Sequence, residues 1–371
     1  MRFAIITHVP HLLIDNQFFA YAPYSAEMNI WGKFASELII VAPVKTSKDT
    51  ALDDSYHHAN IKFVAVDSFD VMSLSGVIKA LLKAPKIIWY IYKAMWAADH
   101  IHLRCPGNMG LLGCLVQIAF PFKSKTAKYA GNWDPKSKQP WSYNIQKYIL
   151  SNTFLTHNMQ VLVYGNWKGN STNIKSFFNA SYKENEKNLV DRKDSTKEIK
   201  FVFVGGLVAG KNPLYAIQLV ECLSLKGYTI SLTILGDGKE SENINQYCIA
   251  NNLEKTIIIN GNQNKETVKT AYQDSHFVIL PSKSEGWPKA IAEGMFWGCV
   301  PIATKQSCIP DMLDHGNRGI LLEMDLKKDV SQIETIIKDQ ILYHSVQARA
   351  LKWSREYTTD FFEAEIKKLL Q

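Results

Sequence analysis

The sequence of 371 residues is short of cysteine, of long apolar runs and, in its first half, of acidic residues. Each scarcity excludes something. The six cysteines, Cys105, Cys114, Cys222, Cys248, Cys299 and Cys308, are sparse and lack metal-ligand or redox spacing. That excludes a disulfide-stapled small fold and predicts mostly buried, reduced thiols. No stretch of roughly 18 uninterrupted apolar residues occurs, so no membrane-spanning helix is expected. The opening MRFAIITHVP has one basic residue and a short apolar run before His8, Pro10 and His11, which does not read as a signal peptide. A reducing, cytoplasmic setting is the expectation.

Acidic residues are scarce on one side only. Residues 1–180 hold 18 Lys/Arg against 10 Asp/Glu, and residues 181–371 hold 24 against 25. The basic half is expected to face phosphate, nucleic acid or a lipid surface, although plain solubility would use the same charge. What is abundant fixes the class. Apolar residues make up 46% and charged residues 21%, enough apolar surface to offset chain entropy and exclude disorder. The length suggests two domains.

Short β-rich runs at 2–7, 37–42, 61–66, 100–104, 126–130 and 160–164 alternate with helical-length segments. Such alternation predicts α/β layers with parallel sheets. The stretch 183–200, KENEKNLVDRKDSTKEIK, is charged and nearly free of apolar residues, and reads as a linker. The division expected is 1–182, linker 183–200, and 201–352, with a helix over 353–371. A second series follows in FVFVGG, TISLTILGDG, IIINGN, FVILPS and VPIAT. Asn212 is expected to cap a helix beginning at Pro213 and stopping at Lys226-Gly227. Another helix is expected from Pro288 to just before Gly298.

Ligands of open α/β sheets sit beyond the carboxyl ends of the strands, where two constellations fall. Gly205 to Pro213, GGLVAGKNP, combines close-approach glycines with Lys211 just before a helix start, a combination suited to phosphate. It lacks the endings of a Walker loop and of a dinucleotide fingerprint. Taken alone it is equally a strand-to-helix turn with a solvated lysine. Pro281 to Met295, PSKSEGWPKAIAEGM, holds Glu285 in a loop and Glu293 inside the following helix. Ionised carboxylates only accept hydrogen bonds and so suit sugar hydroxyls. Alone, these are equally a helix-end charge and a surface residue.

Their order is more specific: a phosphate-type turn with lysine, Gly236-Asp237-Gly238 after the next strand, then Pro-Ser…Glu-Gly with a second Glu eight residues on. Over 201–322 the sequence resembles the nucleotide-binding half of the family 4 glycosyltransferases, and the first half is similar in layout only. The resemblance implies the α/β GT-B fold, two facing Rossmann-like domains with a deep cleft between them. It implies sugar transfer from a nucleotide donor with retention at the anomeric carbon, no cofactor and no catalytic metal. Lys211 would pair with the donor diphosphate and Glu285 would face the donor sugar. Glu293 would hold the ribose hydroxyls. Gly205, Gly206, Gly286 and Trp287 would offer backbone to phosphate or sugar, and Gly261 and Asn262 would lie near the base. The sequence departs from the pattern at Gly206, where the family has arginine, at Gly294, where alanine is common, at Pro288, and at His8-Val9-Pro10-His11, where a glycine pair is usual.

Acceptor-side candidates come from the first half: Arg104 and Asn132 at strand ends, and His11 with Tyr21, Tyr24 and Glu27 ranked behind. Arg104 could substitute for the missing arginine, or form an ordinary strand-end ion pair. The acceptor implied is a glycan, lipid-linked or protein-linked, and no nucleic acid is expected. Segment 76–97 is basic and aromatic, interrupted by Pro85, with Lys79, Lys83, Lys86 and Lys93 near one face. It suits peripheral contact with an anionic membrane at the inner face, and equally a helix packed on a sheet with lysines in water. The last segment is expected to be one helix over 353–371, with Phe361, Phe362, Ile366 and Leu369 on one side, crossing back to the first domain. Two other readings stay open: a GT-B sugar-nucleotide epimerase, and a non-catalytic polyanion- or glycan-binding protein.

Overall fold

The computed structural model describes residues 1–48, 52–68, 74–190 and 198–371, with backbone alone for 74–81. The chain divides into two units, Met1–Phe178 with Glu363–Gln371, and Asn179–Phe362. The expected linker lies partly outside the described residues, at 191–197. Tyr182, placed by sequence before the linker, is instead core of the second unit, where its ring meets Phe296 and Trp297.

The first unit runs β1 (Arg2–Ile6), β2 (Leu12–Ile14), β3 (Gln17–Tyr21), α1 (Ala22–Gly32), β4 (Glu37–Pro43), β5 (Asp53–Ser55), β6 (Ile61–Val66), α2 (Leu74–Ala97), β7 (His100–Cys105), α3 (Asn108–Val116), β8 (Ser124–Tyr129), α4 (Trp141–Ser151), β9 (Met159–Tyr164) and β10 (Ile174–Phe177). Seven of these strands form one parallel sheet in the order β10-β9-β8-β7-β1-β4-β6. The apolar runs FAII and LIIVAP are buried throughout, as strands covered on both faces require. A small antiparallel sheet, β2-β3-β5, was not foreseen. Its hairpin turns at Asp15-Asn16, both in the left-handed region at φ 48° and 60°, a two-residue turn that matches strand twist.

The second unit runs β11 (Ile199–Val204), α5 (Pro213–Leu225), β12 (Ile230–Leu235), α6 (Ser241–Ala250), β13 (Ile257–Ile259), α7 (Lys265–Asp274), β14 (Phe277–Leu280), α8 (Lys289–Phe296), β15 (Val300–Thr304), α9 (Ile309–Met312), β16 (Ile320–Leu322), α10 (Leu326–Lys338), α11 (Gln340–Ser354) and α12 (Thr359–Leu370). Its parallel sheet has the order β13-β12-β11-β14-β15-β16. The order reverses between β11 and β14, which makes the gap beyond their carboxyl ends a switch point where loops diverge and leave room for a ligand. Phe201 and Phe277, register partners in those strands, stack at 4.9 Å and anchor the core beneath that gap.

Local expectations hold in outline and shift in detail. Asn212 precedes α5, but no side-chain cap bond forms; it serves by adopting φ 54°. Pro288 is the residue before α8 rather than its first, and Gly227 (φ 92°) and Gly298 (φ 82°) end the two helices. α2 continues through Pro85, which forfeits one ladder hydrogen bond without ending the helix. The last segment is not one helix: Trp353 belongs to α11, and α12 begins after a break. Phe362 and Ile366 are buried while Phe361 is exposed, because Phe361 falls off the apolar stripe. Lys33 pairs with Glu363, and Lys175 Nζ lies 2.8 Å from Glu365, holding the end of α12 to the first unit. All six cysteines are free thiols and five are buried.

Candidate functional site

Three turns of the second unit interlock at the carboxyl edge of its sheet. Gly205-Gly206-Leu207 follows β11 and Gly236-Asp237-Gly238 follows β12. The Leu207 N–H donates to Asp237 O at 3.0 Å, and the Glu240 N–H to Leu207 O at 2.9 Å. A Cβ at Gly236 would stand 1.9 Å from Gly205 O, and one at Gly238 2.4 Å from Leu207 O. Only glycine permits this docking. The Gly236 N–H then donates to Gly261 O at 2.8 Å, so the turn bearing Gly261 (φ 64°) and the exposed Asn262 joins the cradle.

Lys211 and Glu285 rise on either side of the switch point. Lys211 comes from the β11–α5 turn and Glu285 from the β14–α8 loop, and Lys211 Nζ lies 2.6 Å from Glu285 Oε1. The Lys283 N–H donates to Gly210 O at 2.8 Å, pinning the two loops together. The Glu285 side chain is 6% exposed and that of Lys211 31%, so the carboxylate is sequestered and the ammonium can be reached. Gly286 O accepts from Ser307 Oγ at 3.2 Å and Cys308 Sγ at 3.3 Å, which fixes the loop from behind. The Trp287 ring turns away from the loop tip, onto Trp353 and Tyr357. Glu293, one helix turn inside α8, is 3.4 Å from Lys289 Nζ and accepts from Tyr272 Oη at 3.3 Å. Sequence reasoning missed both partners. Burial, with Glu293 beside it, holds the Tyr272 phenol far above its ordinary pKa, so it remains a donor.

One departure from the expected pattern, Gly294, acquires a reason, and another, Gly206, does not. A Cβ at Gly294 would lie 2.5 Å from Val278 Cγ1, so α8 rides too close to β14 for alanine. At Gly206 a Cβ would meet only Asp237 O at 3.9 Å, so that position has room for a side chain.

In the first unit the acceptor-side candidates are engaged internally. Arg104, at the end of β7, is buried with Nη1 2.6 Å from Glu27 Oε1, and Lys128 Nζ from β8 is 3.1 Å from the same oxygen. Burial alone would raise the Glu27 carboxyl, but the two cations outweigh it and leave the pKa below the usual carboxylate range. Burial pushes Lys128 down to about 8. Lys128 was not foreseen; the strand SKTAKY carries two lysines, Lys125 and Lys128, and both are buried. His11 is buried between Val9 O and Tyr56 Oη, each at 2.8 Å, and burial pushes it down to about 4. Asn132 is buried and accepts from the Asp134 N–H at 2.9 Å, a local turn. Tyr24 is buried and Tyr21 half-exposed.

Residues 184–353 match the family model "Glycosyl transferases group 1". A glycosyltransferase of Haemophilus influenzae, itself uncharacterized, is 26% identical over 171 residues, 45% of this chain and 47% of that protein. The chain thus spans about half the length of the curated relatives it matches. HepE of Anabaena, solved with UDP and glucose, superposes with a TM-score of 0.72 at 13% identity, covering 100% of this chain and 99% of HepE. Sucrose-phosphate synthase of Thermosynechococcus elongatus does so with a TM-score of 0.70 at 14% identity, covering 100% and 98%. The fold is GT-B. That is the fold the sequence led us to expect, and the matched region contains the whole Lys211–Glu285–Glu293 constellation. Among the described residues no helix is long and apolar enough to cross a membrane.

Proposed function

We propose that the chain is a glycosyltransferase of the family 4 type. It moves a sugar from a nucleoside-diphosphate donor to a hydroxyl of a glycan, lipid-linked or protein-linked acceptor with retention at the anomeric carbon. The observation that carries the reading is the Lys211–Glu285 pair spanning the switch point at 2.6 Å. A reachable ammonium beside a sequestered carboxylate offers one group for diphosphate and one for sugar hydroxyls or for the positive charge that grows at the anomeric carbon.

As the anomeric C–O bond breaks, the electron pair stays on the diphosphate oxygen. Lys211 is held where that charge develops, so it stabilises the transition state more than the bound donor. The acceptor oxygen bonds to the same face of the anomeric carbon, and its proton passes to the departing phosphate oxygen. No protein base is then needed and no metal is asked for. Glu293, fixed by Lys289 and Tyr272, is assigned to the ribose hydroxyls. The uridine nucleotides are the first donors to try, since HepE was solved with UDP.

A thermal-shift series with UDP, ADP, GDP, CDP and dTDP tests the donor assignment, because a ligand of the folded state raises stability with the logarithm of its concentration. One of them should raise the midpoint, and Lys211→Ala should abolish the rise. If none does, the reading fails. Incubating the matching sugar nucleotide without acceptor then separates reactions. A transferase hydrolyses it slowly and returns the sugar unchanged, whereas conversion to a different sugar would mark an epimerase.

A further inference from the structure

One face of the first unit, carried by α2 and α4, presents a surface that the site in the second unit does not explain. Along α2, Ile87, Ile91, Ala94 and Met95 point inward and are buried. On the opposite side, Leu82, Lys86, Trp89, Lys93 and Trp96 follow one stripe at helical spacing, all exposed. Leu82 is 78% and Trp96 68% exposed, where a water-facing helix would carry polar groups. The aromatics are ordered: Tyr92 stacks between Trp89 at 6.0 Å and Trp96 at 6.1 Å, and Lys93 Nζ sits 4.9 Å over the Trp89 ring.

The stripe continues past the helix end. Lys123 Nζ donates to the carbonyls of Met95, Trp96 and Ala98 at 2.7, 2.6 and 2.6 Å, fastening the 120–123 turn beside Trp96. That turn projects Phe122, 89% exposed. α3 packs against both α2 and α4, and on α4 Trp141, Ile145 and Tyr148 repeat an exposed stripe at i, i+4, i+7. Charge completes the pattern. Residues 71–180 hold 13 Lys/Arg and only two acids, Asp99 and Asp134. Asp99 is paired with Arg2, and the one further acid described at α2, Asp67, lies 3.7 Å from Lys83 Nζ.

We propose that this face docks on an anionic lipid bilayer surface. Exposed tryptophans and tyrosine interleaved with lysines, in a field almost free of acids, match the headgroup layer, where rings sit at the boundary and lysines reach up to phosphates. The lysines argue against a dry protein partner, since interface cores are depleted in lysine. The association is peripheral, and it stands independently of the transferase reading.

Sedimentation of the full chain with vesicles tests it. Vesicles of phosphatidylcholine containing about a third phosphatidylglycerol should carry the protein down, and pure phosphatidylcholine should not. Added salt should release it, and tryptophan emission should shift to the blue on binding. Lys86→Ala with Lys93→Ala should lower the partition about 30-fold, at roughly tenfold or less per lysine. Trp89→Ser with Trp96→Ser should abolish binding while the melting midpoint stays at the parent value. The proposal is overturned if the parent chain stays in the supernatant with anionic vesicles, or if both double variants sediment like the parent. It is equally overturned if the parent is a dimer that Trp89→Ser with Trp96→Ser separates and no vesicle binding is seen; a second copy then covers the face.

Discussion

The Lys211 ammonium meets the Glu285 carboxylate at 2.6 Å where the strand order of the second sheet reverses. The two residues are 74 positions apart and come from loops that diverge from neighbouring strands. In the proposed reaction a diphosphate sugar fills the gap this contact spans, and its binding exchanges the ion pair for contacts to phosphate and sugar.

Lys211→Ala should therefore lower kcat by about 10²–10³-fold, the usual effect of removing one preorganised donor to developing charge. Glu285→Gln should keep diphosphate affinity while losing turnover. Initial rates and nucleotide titrations separate these outcomes. Near-parental rates in Lys211→Ala would contradict the assignment.

At position 206 the open space permits a test by addition. Gly206→Arg should leave the melting midpoint near the parent value, because a Cβ there meets nothing closer than 3.9 Å. A second cation beside the diphosphate should tighten nucleotide binding by about tenfold, the scale of one charged hydrogen bond. Calorimetric titration of the parent and the variant decides the point; unchanged affinity would mean that the diphosphate lies elsewhere.

Gly294→Ala should destabilise by about 1–3 kcal/mol, the usual cost of overpacking, since the new methyl would lie 2.5 Å from Val278 Cγ1. Adding Val278→Ala should recover part of the loss by vacating that space. Urea denaturation of the single variants and the double variant measures the coupling.

The Glu27 cluster predicts a pH dependence. The folded-state pKa of Glu27 is depressed, so its contribution is present above the unfolded carboxylate value of 4.5 and fades as the pH falls through the lower folded value. Glu27→Gln should cost about 3–5 kcal/mol at pH 7, because it strands Arg104 and Lys128. The gap between parent and variant should close below pH 4.5. His11 acts earlier: its folded pKa of about 4 lies below 6.5, so stability drains as the pH drops through that interval. Lys128, depressed to about 8, works from the alkaline side and favours the fold as the pH rises from 8 towards 10.5. Melting midpoints from pH 3 to 10 check all three.

Much of the second unit could be read from the sequence, because its signals are local. Asn212-Pro213 and Gly227 punctuate α5, the strands are apolar runs or, in β12, an alternation with Ser231 and Thr233, and the glycines mark the cradle. The first unit was less legible for reasons of range. Strands β2 and β5 have three residues each, too few for periodicity to register, though Asp15-Asn16 is a usable hairpin signal. The Glu27–Arg104–Lys128 cluster joins residues far apart in the chain, so no window contains it. Arg104 and Asn132 looked available from sequence and are engaged within their own unit. Glu293 was legible as a carboxylate on α8, while its partner Tyr272 lies on another helix and leaves no trace nearby.

The seat of Gly236 on the carbonyl of Gly205 leaves no room for even one methyl. Any side chain at 236 would force β12 and the lysine-bearing turn to part company. Under the proposed transferase reading, any tuning of donor preference is left to the unobstructed position 206 and the exposed position 262, above a backbone floor that cannot be re-laid.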